Sequence, residues 1–129
     1  MPLVKIDLVE GRTSEEVTAL MDTIQDCVVE AFGVPDDDRY QIVTEHKPDR
    51  MVIRDTGLGF ERTDKVTVVH VFTSPRTPAI KKTLYSLLAE RLQERCGIPP
   101  SDLVVSLATN GTDDWSFGDG EAQYLTGRL

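Results

Sequence analysis

Gly33-Val34-Pro35-Asp36-Asp37-Asp38 and Gly97-Ile98-Pro99-Pro100-Ser101-Asp102 are one punctuation mark met twice, 64 positions apart. In each, a glycine that tolerates left-handed backbone stops a helix, and a proline two residues on cannot rejoin it. Upstream of the first, Val17, Leu20, Met21, Ile24, Val28 and Phe32 recur at helical spacing, so 15–32 reads as an amphipathic helix starting at Ser14-Glu15-Glu16. Upstream of the second, Ile80, Leu84, Leu87, Leu88 and Leu92 place a helix over 78–96. Strands flank both: 2–9 and 40–44 around the first helix, 65–72 and 103–108 around the second. A constant shift of 64 puts Val4 on Val68, Thr13 on Thr77, Leu20 on Leu84, Glu30 on Glu94 and Asp38 on Asp102. Two fused β-α-β units follow, with halves at about 2–64 and 65–129. The expected fold is α+β: each unit pairs its strands in parallel, giving one four-stranded sheet with both helices on one face. Met51-Val52-Ile53 reads as a short extra strand before a Gly57-Leu58-Gly59 turn, and Trp115 and Phe117 as a short hairpin.

That sheet has apolar residues on both faces. Val4, Ile6 and Leu8 oppose Leu3 and Val9 in the first strand; Val66, Val68 and Phe72 oppose Val69 and Val71 in the third. Two helices cover only one face, so the other is expected to pack against further copies in a symmetric homo-oligomer.

A length of 129 residues suits one domain, and 40% hydrophobic with 28% charged residues is ordinary globular composition. The net charge of −8 argues against nucleic acid or an anionic membrane as partner. No apolar run reaches the ~18–20 residues of a membrane span, and the charged, alternating start does not read as a signal peptide. Cys27 and Cys96 lie on the two helices and read as free thiols, which places the chain in the cytoplasm. His46 and His70 have no metal-ligand spacing, and Gly57-Leu58-Gly59 lacks the rest of a dinucleotide motif. No metal and no organic cofactor is expected.

Pro2 carries the most chemistry. With Met1 removed, its nitrogen becomes a secondary amine whose pKa is lowered by burial and raised by a nearby carboxylate. The plain alternative is a proline opening an edge strand. Four segments set beside it are less ordinary: 33–43, GVPDDDRYQIV; 55–60, DTGLGF; Thr73-Ser74-Pro75-Arg76; and 110–120, NGTDDWSFGDG, running on to Leu125-Thr126-Gly127.

With these segments the chain resembles the tautomerase superfamily, and within it the malonate semialdehyde decarboxylases. The resemblance implies a trimer, a small oxo-acid substrate, and decarboxylation accompanied by hydratase activity. It further implies Pro2 as catalytic amine, Asp38 as the carboxylate acting on it or on a water, and Arg76 as the holder of the substrate carboxylate. Trp115, Phe117, Tyr124 and Leu129 fall where the family builds an apolar wall over the substrate. Read singly, Asp38 is a turn cap, Arg76 a loop arginine at a helix start, and the aromatics hairpin packing.

One position departs from the pattern. The decarboxylases carry Arg-x-Arg where this chain has Ser74-Pro75-Arg76, so a bidentate cation is replaced by one neutral hydroxyl. Ser74 therefore keeps open a second enzyme reading, a cofactor-independent keto-enol tautomerase of 2-oxo acids with neutral Pro2. A third reading, from another class, is a non-catalytic oligomeric ligand-binding module indifferent to Pro2.

Overall fold

The computed structural model describes residues 1–129. Strand β1 (Leu3–Val9) leads to helix α1 (Ser14–Phe32) and strand β2 (Tyr40–His46); β3 (Thr67–Thr73), α2 (Pro78–Cys96) and β4 (Leu103–Thr109) repeat the arrangement, and a short α3 (Gln123–Thr126) follows. The sheet order is β2-β1-β3-β4, with β1-β2 and β3-β4 parallel and the two units joined antiparallel through β1-β3. Thr13 caps α1 by accepting from Glu16 N at 3.2 Å while Glu16 accepts from Thr13 N at 3.0 Å, a reciprocal box that starts the helix one residue earlier than its apolar spacing suggested. Thr77 caps α2 by accepting from Ile80 N, without a reciprocal partner, and Gly33 and Gly97 end the helices at φ 67° and 65°.

The core lies between the helices and one sheet face. Val4, Ile6 and Leu8 from β1 and Val69 and Val71 from β3 pack on Leu20, Ile24 and Val28 of α1 and Leu84, Leu88 and Leu92 of α2. Cys27 is buried there as a free thiol, its pKa pushed up to about 11 by burial. Cys96 is free and half-buried. No helix is long and apolar enough to cross a membrane.

Three expectations need correction. The shift of 64 holds through both helices and their stops, but not in the first strand of each unit. Val4 faces the core and Val68 does not; the core positions Val4, Ile6 and Leu8 correspond to Val69, Val71 and Thr73, a shift of 65. Pairing agrees, since Leu3 faces Tyr40 in one unit as Val68 faces Val104 in the other. The extra residue is in the turn before α1, where Gly11 holds φ 127°. Second, Met51-Val52-Ile53 is no strand. Its alternation survives, with Val52 68% exposed and its neighbours half-buried, but no strand runs beside it to pair its backbone. Third, Trp115 and Phe117 are not in a hairpin: a 3₁₀ turn at Thr112–Asp114 precedes them and a Gly118-Asp119-Gly120 bend, all at positive φ, turns the chain into α3.

The second sheet face is open in the single chain. Leu3, Ile42, Val68, Phe72, Val104 and Ala108 lie on it, interleaved with Lys5, Asp7, His46, His70 and Ser106; Ile42 is 49% exposed, and His46 Nε2 meets Asp7 at 2.7 Å.

Candidate active site

The mixed topology brings four strand ends together. Because β1 runs against β3 and with β2, the starts of β1 and β2 lie beside the ends of β3 and β4, with Leu3 between Tyr40 and Phe72. Pro2 is buried immediately before β1, Asp38 precedes β2, Arg76 follows β3, and the Asn110–Gly120 segment leaves β4. Residues far apart in the chain thus meet at one edge of the sheet.

Each is held locally. The amide of Gln25, buried on α1, donates to the carbonyls of Asp36 and Asp38 at 3.1 and 3.2 Å and so fixes the acidic turn. Asp38 is 8% exposed, and its Oδ1 is buried without a hydrogen-bond partner. Burial raises its carboxyl above the ordinary carboxylate range, while the N-terminal amine and Arg76 pull it back. Arg76 donates from Nη1 to the Phe32 carbonyl at 3.3 Å and from Nε to Thr73 Oγ1 at 3.4 Å. Ser74 is half-buried in the same turn.

The chain's free amine here is that of Met1, which donates to the Tyr124 hydroxyl at 3.4 Å. Burial lowers its pKa, with the Asp38 charge opposing and Arg76 reinforcing. Tyr124 is raised by burial first and by Asp38 next, against Arg76. The amine, Asp38, Arg76 and Tyr124 therefore share one electrostatic neighbourhood.

Over it stands an aromatic stack. Trp115 and Phe117 lie parallel, centroids 5.3 Å apart, and Tyr124 meets Phe117 edge-on at 5.6 Å. Sequence reasoning missed the residues that set this wall. Asn110 donates its backbone N–H to Thr73 O at 2.9 Å, and its side-chain Oδ1 accepts from Trp115 Nε1 at 3.0 Å. Buried Gln123 accepts from Phe117 N and donates to Gly118 O, both at 2.9 Å. Tyr40, 5.8 Å from Phe117, extends the wall from β2. Gln25 between Ile24 and Val28 was a readable signal, a polar residue in a core stripe; nothing in the pattern marked the others. Leu129 stands 61% exposed.

The repeat supplies a built-in comparison. Arg12 and Asp102 stand in the first turn and second unit where Arg76 and Asp38 stand. Asp102 is fully buried, but it accepts from Thr63 N at 2.7 Å and from the Thr63 hydroxyl, both in the segment leading into β3. Where the first unit has a chain end, the second has continuing backbone.

The four surface clefts, of about 220 to 600 Å³, are lined by other residues than Pro2, Asp38, Arg76 or Tyr124. No cluster of three or more His, Cys, Asp or Glu side chains is positioned to hold a metal.

The duplicated β-α-β fold thus gathers an amine, a carboxyl and a guanidinium at one end of its sheet, and its class is that of the tautomerase enzymes. Two family models described as tautomerase enzyme match residues 38–118 and 2–61, and the chain belongs to the tautomerase family. It is 52% identical over 129 residues, the full length of both chains, to a probable tautomerase, YrdN, of Bacillus subtilis (strain 168). Among solved structures, malonate semialdehyde decarboxylase superposes with a TM-score of 0.95 at 46% identity, covering 98% of each chain. The FG41 malonate semialdehyde decarboxylase gives 0.93 at 40%, covering 98% of this chain and 97% of that one.

Proposed function

We propose that this tautomerase-family enzyme, once Met1 is removed, decarboxylates a small 3-oxo acid of the malonate semialdehyde kind through the amine of Pro2. The observation that carries this reading is the meeting of Asp38 and Arg76 at the chain's amine, with a buried carboxylate oxygen left unpartnered there. The likeness to two decarboxylase structures over nearly the whole chain supports it.

Pro2 N adds to the aldehyde carbon and water leaves, giving an iminium. The C1–C2 bond then breaks; its electron pair forms the C2=C3 bond of an enamine, the C=N pair returns to nitrogen, and carbon dioxide departs neutral. A proton adds at C2 and water, steered by Asp38, releases acetaldehyde and the amine. Arg76 holds the substrate carboxylate, while Trp115, Phe117 and Tyr124 exclude bulk water from the enamine. The bare sheet faces, with Leu3, Ile42 and Phe72 on them, pack together in a trimer.

The keto-enol reading has one observation in its favour: Pro2 is buried, and burial lowers the pKa of an amine, which favours a neutral base. Proton NMR of malonate semialdehyde with Met1-free enzyme decides between them. Acetaldehyde formation that Pro2→Ala lacks supports decarboxylation; an intact substrate beside rapid ketonisation of a 2-oxo-acid enol supports the tautomerase.

A further inference from the structure

Met1 is joined to the nitrogen that the proposed reaction uses, so its atoms trace where a covalent adduct of Pro2 would run. Counting outward from Pro2 N, the Met1 carbonyl carbon is planar and one bond away, as the iminium carbon of a 3-oxo acid would be. Met1 Cα stands for the substrate's C2. The Met1 nitrogen, three bonds out, stands in one of the three tetrahedral directions open to the carboxylate carbon. That nitrogen is the atom within 3.4 Å of the Tyr124 hydroxyl, and the Arg76 charge reaches it.

We infer that the Tyr124 hydroxyl is a hydrogen-bond donor to the substrate carboxylate, the polar partner of Arg76 at this subsite, and not solely a piece of apolar wall. The inference rests on the reading of Pro2 as the catalytic amine. Tyr124 is well mounted for the task. Its ring is braced edge-on by Phe117, which stacks on Trp115, and its short helix is tied to the same strip by Gln123. With serine at position 74, the hydroxyl supplies a second donor beside a single guanidinium. Asp38 faces the same point and repels a second anion. Arg76 and Tyr124 offset that repulsion, which is relieved when the carboxylate leaves as neutral carbon dioxide.

The test is the binding of 3-hydroxypropanoate, a three-carbon carboxylate that cannot turn over, beside neutral propane-1,3-diol. Both are titrated by ligand-observed NMR into Met1-free enzyme and its Tyr124→Phe variant, which keeps the ring and loses only the hydroxyl. The expected result is a Kd for the carboxylate raised about tenfold in the variant, the loss of one hydrogen bond to a charged group, with the diol unchanged. The chain still carrying Met1 should bind the carboxylate no better than the variant does. An unchanged Kd, an equal loss for both ligands, or no carboxylate binding by the parent overturns the inference. Turnover of malonate semialdehyde on the same samples keeps the two readings apart. Turnover with an unchanged Kd removes the Tyr124 role alone, and a raised Kd without turnover removes decarboxylation alone.

Discussion

Arg76 is held against Phe32 twice over: its guanidinium carbon lies 4.5 Å from the ring centroid, and Nη1 donates to the Phe32 carbonyl. With Nε on Thr73, Nη2 is the nitrogen left for a ligand, presented at a fixed angle. Arg76→Lys keeps the charge and loses both the stack and the fork. KM for an oxo-acid substrate should rise about ten- to a hundredfold, the loss of a charge-assisted bond, with a smaller change in kcat. Steady-state kinetics beside a thermal melt would check this; a KM within twofold of the parent contradicts it.

Asp38→Asn should raise stability at neutral pH while lowering turnover at least ~100-fold. The sign follows from its raised carboxyl. The folded chain keeps that proton to higher pH than the unfolded chain does, so stability falls as pH rises from the ordinary carboxylate range through the folded value. The variant's advantage should vanish below that range and be fully present above it, reaching up to about 1 kcal/mol. Urea melts across pH measure the difference.

At Asp102 removal of the carboxylate should cost stability. Its carboxylate satisfies both the amide and the hydroxyl of Thr63 in a fully buried place, so Asp102→Ala strands two donors. A loss of about 2–4 kcal/mol is expected, with activity per folded molecule retained. Chemical denaturation paired with active-site titration separates the two effects.

Gln123→Leu removes the acceptor of Phe117 N and the donor to Gly118 O. The aromatic stack should loosen without unfolding the β-α-β core. Hydrogen exchange at the Phe117 amide should quicken about tenfold or more, the opening of one buried bond, with KM rising and the global melt nearly unmoved.

Ile42→Glu places a charge on the open sheet face, where Ile42 is half exposed in the single chain. Analytical ultracentrifugation should show the proposed trimer dissociating; an unaltered assembly would mean that this face is not the interface.

The helices were legible because their stops are chemical: a glycine followed two residues on by a proline ends each, at Gly33 and again at Gly97. The first-strand register was not, because Val68 and Val69 are adjacent. A valine aligns with Val4 at a shift of either 64 or 65, and only packing against Leu20 and Leu84 tells which one faces inward. Met51–Ile53 shows the same limit from the other side, since alternation reports a face and says nothing of a backbone partner. At the site, Pro2, Asp38, Arg76 and the aromatics came through a family resemblance. Asn110 and Gln123 did not, because an amide's role depends on which backbone groups approach it in the fold.

The junction at Thr63 carries a consequence in stoichiometry. A chain with two similar units has two strand starts next to an aspartate but only one amino terminus. At the second start nitrogen is an amide, and Thr63 answers Asp102 from within the backbone. Joining two units end to end therefore halves the number of backbone amines beside such an aspartate while leaving the scaffold doubled. A mechanism-based label that reacts only at the proposed Pro2 amine should saturate at one per chain, and every copy of the protein should carry one working cup and one sealed with its own thread.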